Sequence, residues 1–264
     1  MRRDERPYDP AEGRDEIAAI ESQWTEVWKK LGGPQKDYGS IVGREEFRIM
    51  RSCIESLPKG SRLLDGGCGL GEWVVYWTLA GYPTLGLDIS RATIEKLKSM
   101  FPDMQFAAGD IRETGLPNDS VDAYFSWGTF EHFEEGFDRV VPEAFRVLKP
   151  GGLLFVSTPF DNMRHALSAI LSDPWRLSPK KQRTRFYQWR LTRGELATIL
   201  ARNGFAVTDV KIIYKRQGMA RWLQTRFGIS GSSFAGRLLG AILPPIVPAV
   251  LFGHMILAVA QKPR

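Results

Sequence analysis

The chain has 264 residues, 43% of them hydrophobic, which suits one large α/β domain with decorations around an ordinary packed core. Two cysteines, Cys53 and Cys68, exclude a disulfide framework and give no metal-ligand spacing. The formal charge of +6 is moderate, so where the charges stand matters more than their sum. No apolar stretch of the kind a secretory signal needs follows Met1-Arg2-Arg3-Asp4-Glu5-Arg6, and cytoplasmic residence is the expectation.

Residues 1–13 are charged and punctuated by Pro and Gly, and read as a loose tail. From Arg14 to Leu31, the residues Ile17, Ile20, Trp24, Val27, Trp28 and Leu31 recur at helical spacing until Gly32-Gly33-Pro34 stops them. A second helix is expected over about 44–57. Leu63 and Leu64 then lead as a strand into Asp65-Gly66-Gly67-Cys68-Gly69-Leu70-Gly71. Glycines 67, 69 and 71 permit a tight turn that brings backbone N–H groups against a ligand a Cβ would hold off, with Cys68 as a small side chain inside it. Asp65 sets this loop apart from a dinucleotide site, where pyrophosphate meets bare amides at a helix N-terminus. A carboxylate there repels phosphate and suits a cationic amino-acid end, such as that of S-adenosylmethionine (SAM).

Residues 83–88 form the next expected strand, ending in Asp88 about 20 residues past the glycine loop, where such folds place a ribose-diol acceptor. Ser90 caps the helix through Ile94, Leu97 and Phe101. A third strand, 106–111, carries Asp110, placed to accept from an adenine amino group. A fourth strand covers 121–126, and a helix over 134–148 closes on Lys149-Pro150-Gly151-Gly152 before a fifth strand at 153–157. Thr192-Arg193-Gly194-Glu195 is a capping box opening a helix to about Arg202, 205–214 reads as a sixth strand, and 254–261 as a seventh. The alternation predicts a doubly wound, largely parallel α/β sheet with helices on both faces.

With these residues in place, the chain resembles the class I SAM-dependent methyltransferases, in the branch that includes the ubiquinone and menaquinone enzymes. The likeness is strong over 60–160 and moderate over 186–214. It implies a Rossmann-like, seven-stranded sheet whose last strand is antiparallel, and SAM as cofactor. Asp65, Gly66, Gly67, Gly69 and Gly71 would surround the methionine end. Asp88 would take the ribose hydroxyls with Ile89 on the adenine, Asp110 the adenine amino group with Ile111 on the other ring face, and Trp127 the sulfonium side. N-terminal helices cover the cofactor in such enzymes; core packing of Trp24 and Trp28 is the equal alternative.

The acceptor is expected over the ends of strands four and five, along Ser126-Trp127-Gly128-Thr129-Phe130-Glu131-His132-Phe133. His132 is the candidate general base, or else a ring that holds the loop through backbone hydrogen bonds. Glu131-His132 resembles the Glu-His pair of ubiquinone O-methyltransferases, whose second Glu helps bind a metal. Gly128 stands at the matching position, so no metal site is expected. The strand end also lacks Asn/Asp-Pro-Pro-Tyr/Phe, against methylation of DNA bases.

The expected division is a tail and helical cap at 1–58 and a methyltransferase domain at 59–264, with inserts at 161–191 and 215–253. No formally charged residue stands between Leu238 and Gln261, yet Pro244, Pro245 and Pro248 would break a spanning helix. A hairpin on a membrane surface or over the substrate fits better. Arg176, Lys180, Lys181, Arg183, Arg185, Arg190 and Arg193, then Arg216, Arg221, Arg226 and Arg237, would attract anionic headgroups or a pyrophosphate-bearing lipid; a plain solvated face is the alternative. Trp175, Phe186, Tyr187 and Trp189 among them are also able to stack on nucleic-acid bases. The functional expectation is methylation of a small-molecule or lipid-linked acceptor at O, N or C, with an anionic membrane surface met through 216–252. A non-catalytic, membrane-associated SAM-binding module is the alternative. An RNA methyltransferase is the weaker one, nucleic acid not being the expected partner.

Overall fold

Two-residue alternation along Val121–Trp127 sends Ala123 and Phe125 to one side of a sheet and Tyr124 to the other, and all three are fully buried. A strand buried on both faces needs a helical layer on each, and the computed structural model, which describes residues 1–7, 16–35, 38–164 and 184–264, supplies both.

The strands are β1 (Arg2–Pro7), β2 (Leu63–Gly66), β3 (Thr84–Asp88), β4 (Gln105–Ala108), β5 (Val121–Trp127), β6 (Leu148–Pro159), β7 (Thr184–Arg190), β8 (Ala206–Ile213) and β9 (Met255–Gln261). Seven of them form one sheet in the order β4-β3-β2-β5-β6-β9-β8. Neighbours from β4 to β6 are parallel, and β9 runs antiparallel to both β6 and β8. This is the Rossmann-like, doubly wound arrangement that the sequence predicts. The chain steps outward from β2 to β4 and then returns to β5, so the crevice for a ligand opens between the carboxyl ends of β2 and β5.

The helices are α1 (Glu16–Lys30), α2 (Glu45–Glu55), α3 (Glu72–Leu79), α4 (Arg91–Met100), α5 (Val140–Val147), α6 (Arg193–Arg202), α7 (Lys215–Phe227), α8 (Phe234–Ile246) and α9 (Ala249–Phe252). One core layer joins Phe47, Met50 and Ile54 of α2 and Trp73 and Trp77 of α3 to Phe125 and Phe155. The opposite layer packs Val140, Ala144, Leu196 and Leu200 on Tyr124 and Leu154. Each such side chain contributes roughly 1.5–3 kcal/mol by leaving water. Ser90 Oγ accepts from the Thr93 N–H at the start of α4, and the Thr192–Glu195 capping box is complete.

Three expectations change. The first residues are a strand, not a loose tail: β1 pairs antiparallel with β7, Arg2 opposite Arg190 and Pro7 opposite Thr184. The helix expected over 134–148 begins only at Val140, because Gly136 takes φ +83°, a left-handed conformation no helix admits. Strand three ends at Ala108, since Asp110 Oδ1 accepts from the Arg112 N–H at 2.8 Å and turns the chain. In the second insert, Pro244 and Pro245 close the last turn of α8, which ends before Val247. Among the described residues no helix is long and apolar enough to cross a membrane.

Candidate active site

The glycine turn folds over the end of β3. Both the Gly67 and Cys68 N–H groups donate to the Leu87 carbonyl, at 2.7 and 3.0 Å, and the Gly69 N–H donates to Asp88 Oδ2 at 2.9 Å. These amides therefore brace the turn rather than face a ligand, contrary to the expectation. The glycines serve close approach instead. A Cβ on Gly67 would meet the Thr129 side chain at 2.3 Å, and one on Gly69 would meet the Trp28 ring at 2.9 Å. Gly71, with φ +78°, packs on Leu97 and Phe106.

A cleft open to solvent, enclosing about 590 Å³ of space, lies in the crevice. Each strand end contributes to its wall: Gly67 after β2, Asp88 and Ile89 after β3, Gly109, Asp110 and Ile111 after β4, Trp127 and Thr129 at β5. Six of the twelve residues singled out from sequence line it beside His132. Asp65, Gly66, Gly69, Gly71 and Glu131 stand behind the wall. Thr129 and Phe133, which lie in the expected acceptor stretch without an individual role, also border the cleft. Ile20, Trp24 and Trp28 of α1 form the roof, with the two indoles stacked at 5.2 Å. Trp24 and Trp28 are half-buried, while Ile17 of the same helix and Leu31 just beyond it are exposed. The apolar stripe of α1 thus borders the cleft through Trp24 and Trp28, while Ile20 beside them also packs against the core.

Asp65 is 1% exposed, and neither of its carboxyl oxygens has a hydrogen-bond partner among the described residues. Burial, then repulsion from Asp88, holds its pKa well above the usual carboxylate range. A buried, orphaned carboxyl is costly alone and is relieved by a cation, so the donor set fits the ammonium of an amino-acid-bearing ligand such as SAM. Burial also raises the Asp88 pKa, against the pull of the Ser90 and Gly69 N–H groups. Asp110 is gripped by Arg112, whose Nη2 donates to Oδ2 at 2.8 Å and whose Nε lies 3.0 Å from the same oxygen. Arg112 Nη1 further donates to Glu135 at 3.0 Å and to Glu16 of α1 at 3.4 Å, while its guanidinium sits 4.3 Å over the Phe133 ring. Nothing in the local sequence marks Arg112, since its partners come from three separate segments.

His132 closes a 3₁₀ turn, Phe130–His132, and lies 2.8 Å through Nδ1 from the Tyr187 carbonyl of β7. A carbonyl only accepts, so Nδ1 carries the proton and Nε2 keeps its lone pair. Burial pushes the imidazole pKa down to about 4 and that of the buried Glu131 up to about 8. Although His132 Nε2 and Glu131 Oε1 are 3.9 Å apart, both groups are uncharged at pH 7 and the contact is not an ion pair. A second cleft, of about 810 Å³, is bordered by Arg6, Gln23, Arg185 and Tyr187 and shares Ile20, Trp24 and His132 with the first.

The aromatic residues between the arginines of the first insert are committed to the fold where they are described. Phe186 is buried, Trp189 donates to the Phe133 carbonyl at 3.1 Å, and Tyr187 packs on His132 at 5.3 Å. Trp175 and the cations Arg176, Lys180, Lys181 and Arg183 lie outside the described residues.

A seven-stranded sheet with one antiparallel strand, helices on both faces and a cleft at its switch point is the architecture of the Rossmann-like methyltransferase fold. In agreement, the sequence model of the family described as "Methyltransferase domain" matches residues 64–156. A protein of Mycolicibacterium smegmatis named "Probable S-adenosylmethionine-dependent methyltransferase" is 31% identical over 169 residues, covering 64% of this chain and 61% of its own length. A malonyl-[acyl-carrier protein] O-methyltransferase of Methylococcus capsulatus is 37% identical over 147 residues, 52% of each chain. This chain therefore spans about half to three-fifths of the length of these curated relatives. Among solved structures, an S-adenosylmethionine-dependent methyltransferase from Mesorhizobium loti superimposes with a TM-score of 0.54 at 21% identity, covering 84% of this chain and all of that one. A SAM-dependent methyltransferase from Archaeoglobus fulgidus gives 0.56 at 19% identity, covering 90% and 99%.

Proposed function

We propose that the chain transfers a methyl group from SAM to a small-molecule or lipid-linked acceptor whose reacting atom lies beside His132. The observation that carries this reading is the meeting of the two clefts at His132 and Trp24. When bound, SAM supplies a methyl carbon on a cationic sulfur that is already a good leaving group. The chain's own residues bind, align and keep water out. Asp65 and Asp88 hold the amino-acid and ribose ends, Trp127 offers an aromatic face to the sulfonium, and the Trp24–Trp28 roof excludes water. His132 takes the acceptor's proton at Nε2, held in that tautomer by Tyr187. Oxygen is the favoured acceptor atom, because an O–H group hands its proton to a neutral imidazole and the Methylococcus relative is named for O-methylation. The test incubates the purified chain with SAM and cell extract and follows S-adenosylhomocysteine together with a product heavier by one methylene. SAM binding in calorimetry without turnover would instead leave a non-catalytic binding module.

A second reading concerns residues 216–252, which we infer rest on an anionic membrane surface. Phe234, Leu238, Ile242 and Ile246 recur every four residues along α8, and they are 77%, 49%, 49% and 73% exposed. Exposed Arg216, Arg226 and Arg237 flank this stripe, a combination suited to the headgroup boundary. Sedimentation with phosphatidylglycerol vesicles tests it: Phe234→Asp with Ile246→Asp should release the chain, and equal binding would remove the role.

A further inference from the structure

A third cleft, of about 480 Å³, has no residue in common with the methyl-transfer site. Its wall gathers Arg164 beyond β6, Arg190 at the end of β7, Arg221 and Thr225 of α7, and His254 just before β9. Cations from three distant parts of the chain converge there. Gly218 makes this convergence rigid, because α7 presses on the turn before β9 so closely that a Cβ would lie 1.9 Å from the Phe252 carbonyl.

Arginines crowd this region. Arg190 Nε pairs with Asp4 at 2.5 Å, and Arg2 contacts Asp4 and Asp161 at 3.6 and 3.4 Å. Arg221 has no ion pair among the described residues. Arg221 Nη1 lies 2.7 Å from His254 Nε2. Burial, followed by the charges of Arg221, Arg190 and Arg164, pushes the His254 pKa down to about 4. The ring is therefore neutral and accepts from Arg221, fixing the guanidinium while its other donors stay available. Burial and the charges of Arg190 and Arg2 likewise lower the pKa of Arg164. Such crowding of like charge is unfavourable alone and is relieved by one multivalent anion bridging planar guanidinium forks.

We propose that the cleft walled by Arg164, Arg190 and Arg221 binds a phosphate oxyanion, carried either by a soluble phosphate ester or by a lipid headgroup. This goes beyond the methyl-transfer reading and does not depend on it, since binding is measured without SAM or acceptor.

The test titrates the full chain with inorganic phosphate at constant ionic strength, alongside Arg221→Gln and the control Arg202→Gln, which alters an exposed arginine at the end of α6, outside both the cleft and residues 216–252. Vesicles of phosphatidylglycerol are sedimented in parallel. Loss of charge-assisted hydrogen bonds should weaken phosphate binding about tenfold in Arg221→Gln, with the control unchanged. If the source is a soluble phosphate, vesicle binding stays equal in all three proteins. If it is a headgroup, Arg221→Gln also loses vesicle binding, and free phosphate displaces vesicles from the wild type. Absence of phosphate binding by the wild type, or equal affinity in wild type and Arg221→Gln, would overturn the proposal.

Discussion

The Tyr187 carbonyl oxygen stands 2.8 Å from His132 Nδ1, so a backbone atom of β7 selects the proton-accepting face of the imidazole. Replacing His132 with Ala should lower the methylation rate by about 10²–10⁴-fold, the range for a positioned general base. SAM affinity in calorimetry should change by less than about twofold, in line with a side chain used for the acceptor. Because burial pushes the imidazole pKa to about 4, the acid limb of the rate should fall near pH 4. An acid limb near 6.5, or a variant with native turnover, would leave His132 as scaffolding.

Glu131 gives a stability prediction of opposite sign to that of a surface carboxylate. Its pKa rises from 4.5 to about 8 on burial. Between those values the folded chain holds a proton that the unfolded chain has lost. The stabilisation is complete below pH 4.5 and disappears as the pH rises through 8. Glu131→Gln keeps the shape without the ionisation. The variant should match the wild type in unfolding free energy near pH 4.5 and exceed it near pH 9 by on the order of a few kcal/mol, measured by denaturant titration at each pH.

Asp65 and Asp88 should separate binding from folding. Asp65→Asn relieves a buried, unpartnered carboxyl, so ligand-free protein should melt at a higher temperature while SAM binds at least tenfold more weakly. Asp88→Ala should weaken SAM by about 10²-fold. It should also destabilise the chain, since Asp88 holds the Gly69 and Ser90 N–H groups. Native affinity in Asp88→Ala by calorimetry would refute the ribose assignment.

Arg112→Gln should cost roughly 3 kcal/mol in denaturant unfolding, because it removes the cation common to several carboxylates and sits 2% exposed itself. It should also increase amide exchange in α1, the helix its Glu16 contact holds down.

Features set by local spacing were legible in the sequence: Asp65 and the glycines at 67, 69 and 71, the strand ends at Asp88 and Asp110, the caps at Ser90 and Thr192. Each depends on a few adjacent residues. Features set by distant pairing were not. Arg2–Pro7 carries five charges and a proline, and the strand it pairs with lies about 180 residues away, so no apolar alternation announces it. The Tyr187 contact escapes for another reason: it uses a carbonyl, which any residue would supply. Trp24 and Trp28 show an intermediate case, in which helical periodicity is plain but whether the stripe meets a core or a cleft depends on the neighbour.

Three carboxylates on one guanidinium make a tie that is redundant in its acids and singular in its base. Glu16 and Glu135 are 39% and 35% exposed, so either can be neutralised while two anchors remain. Among the described residues, Arg139 reaches only Glu135, at 4.0 Å, and no second guanidinium pairs with Asp110 or Glu16. Mutational fragility around the ligand crevice is thereby concentrated at one position, and drift in the surrounding acids is tolerated.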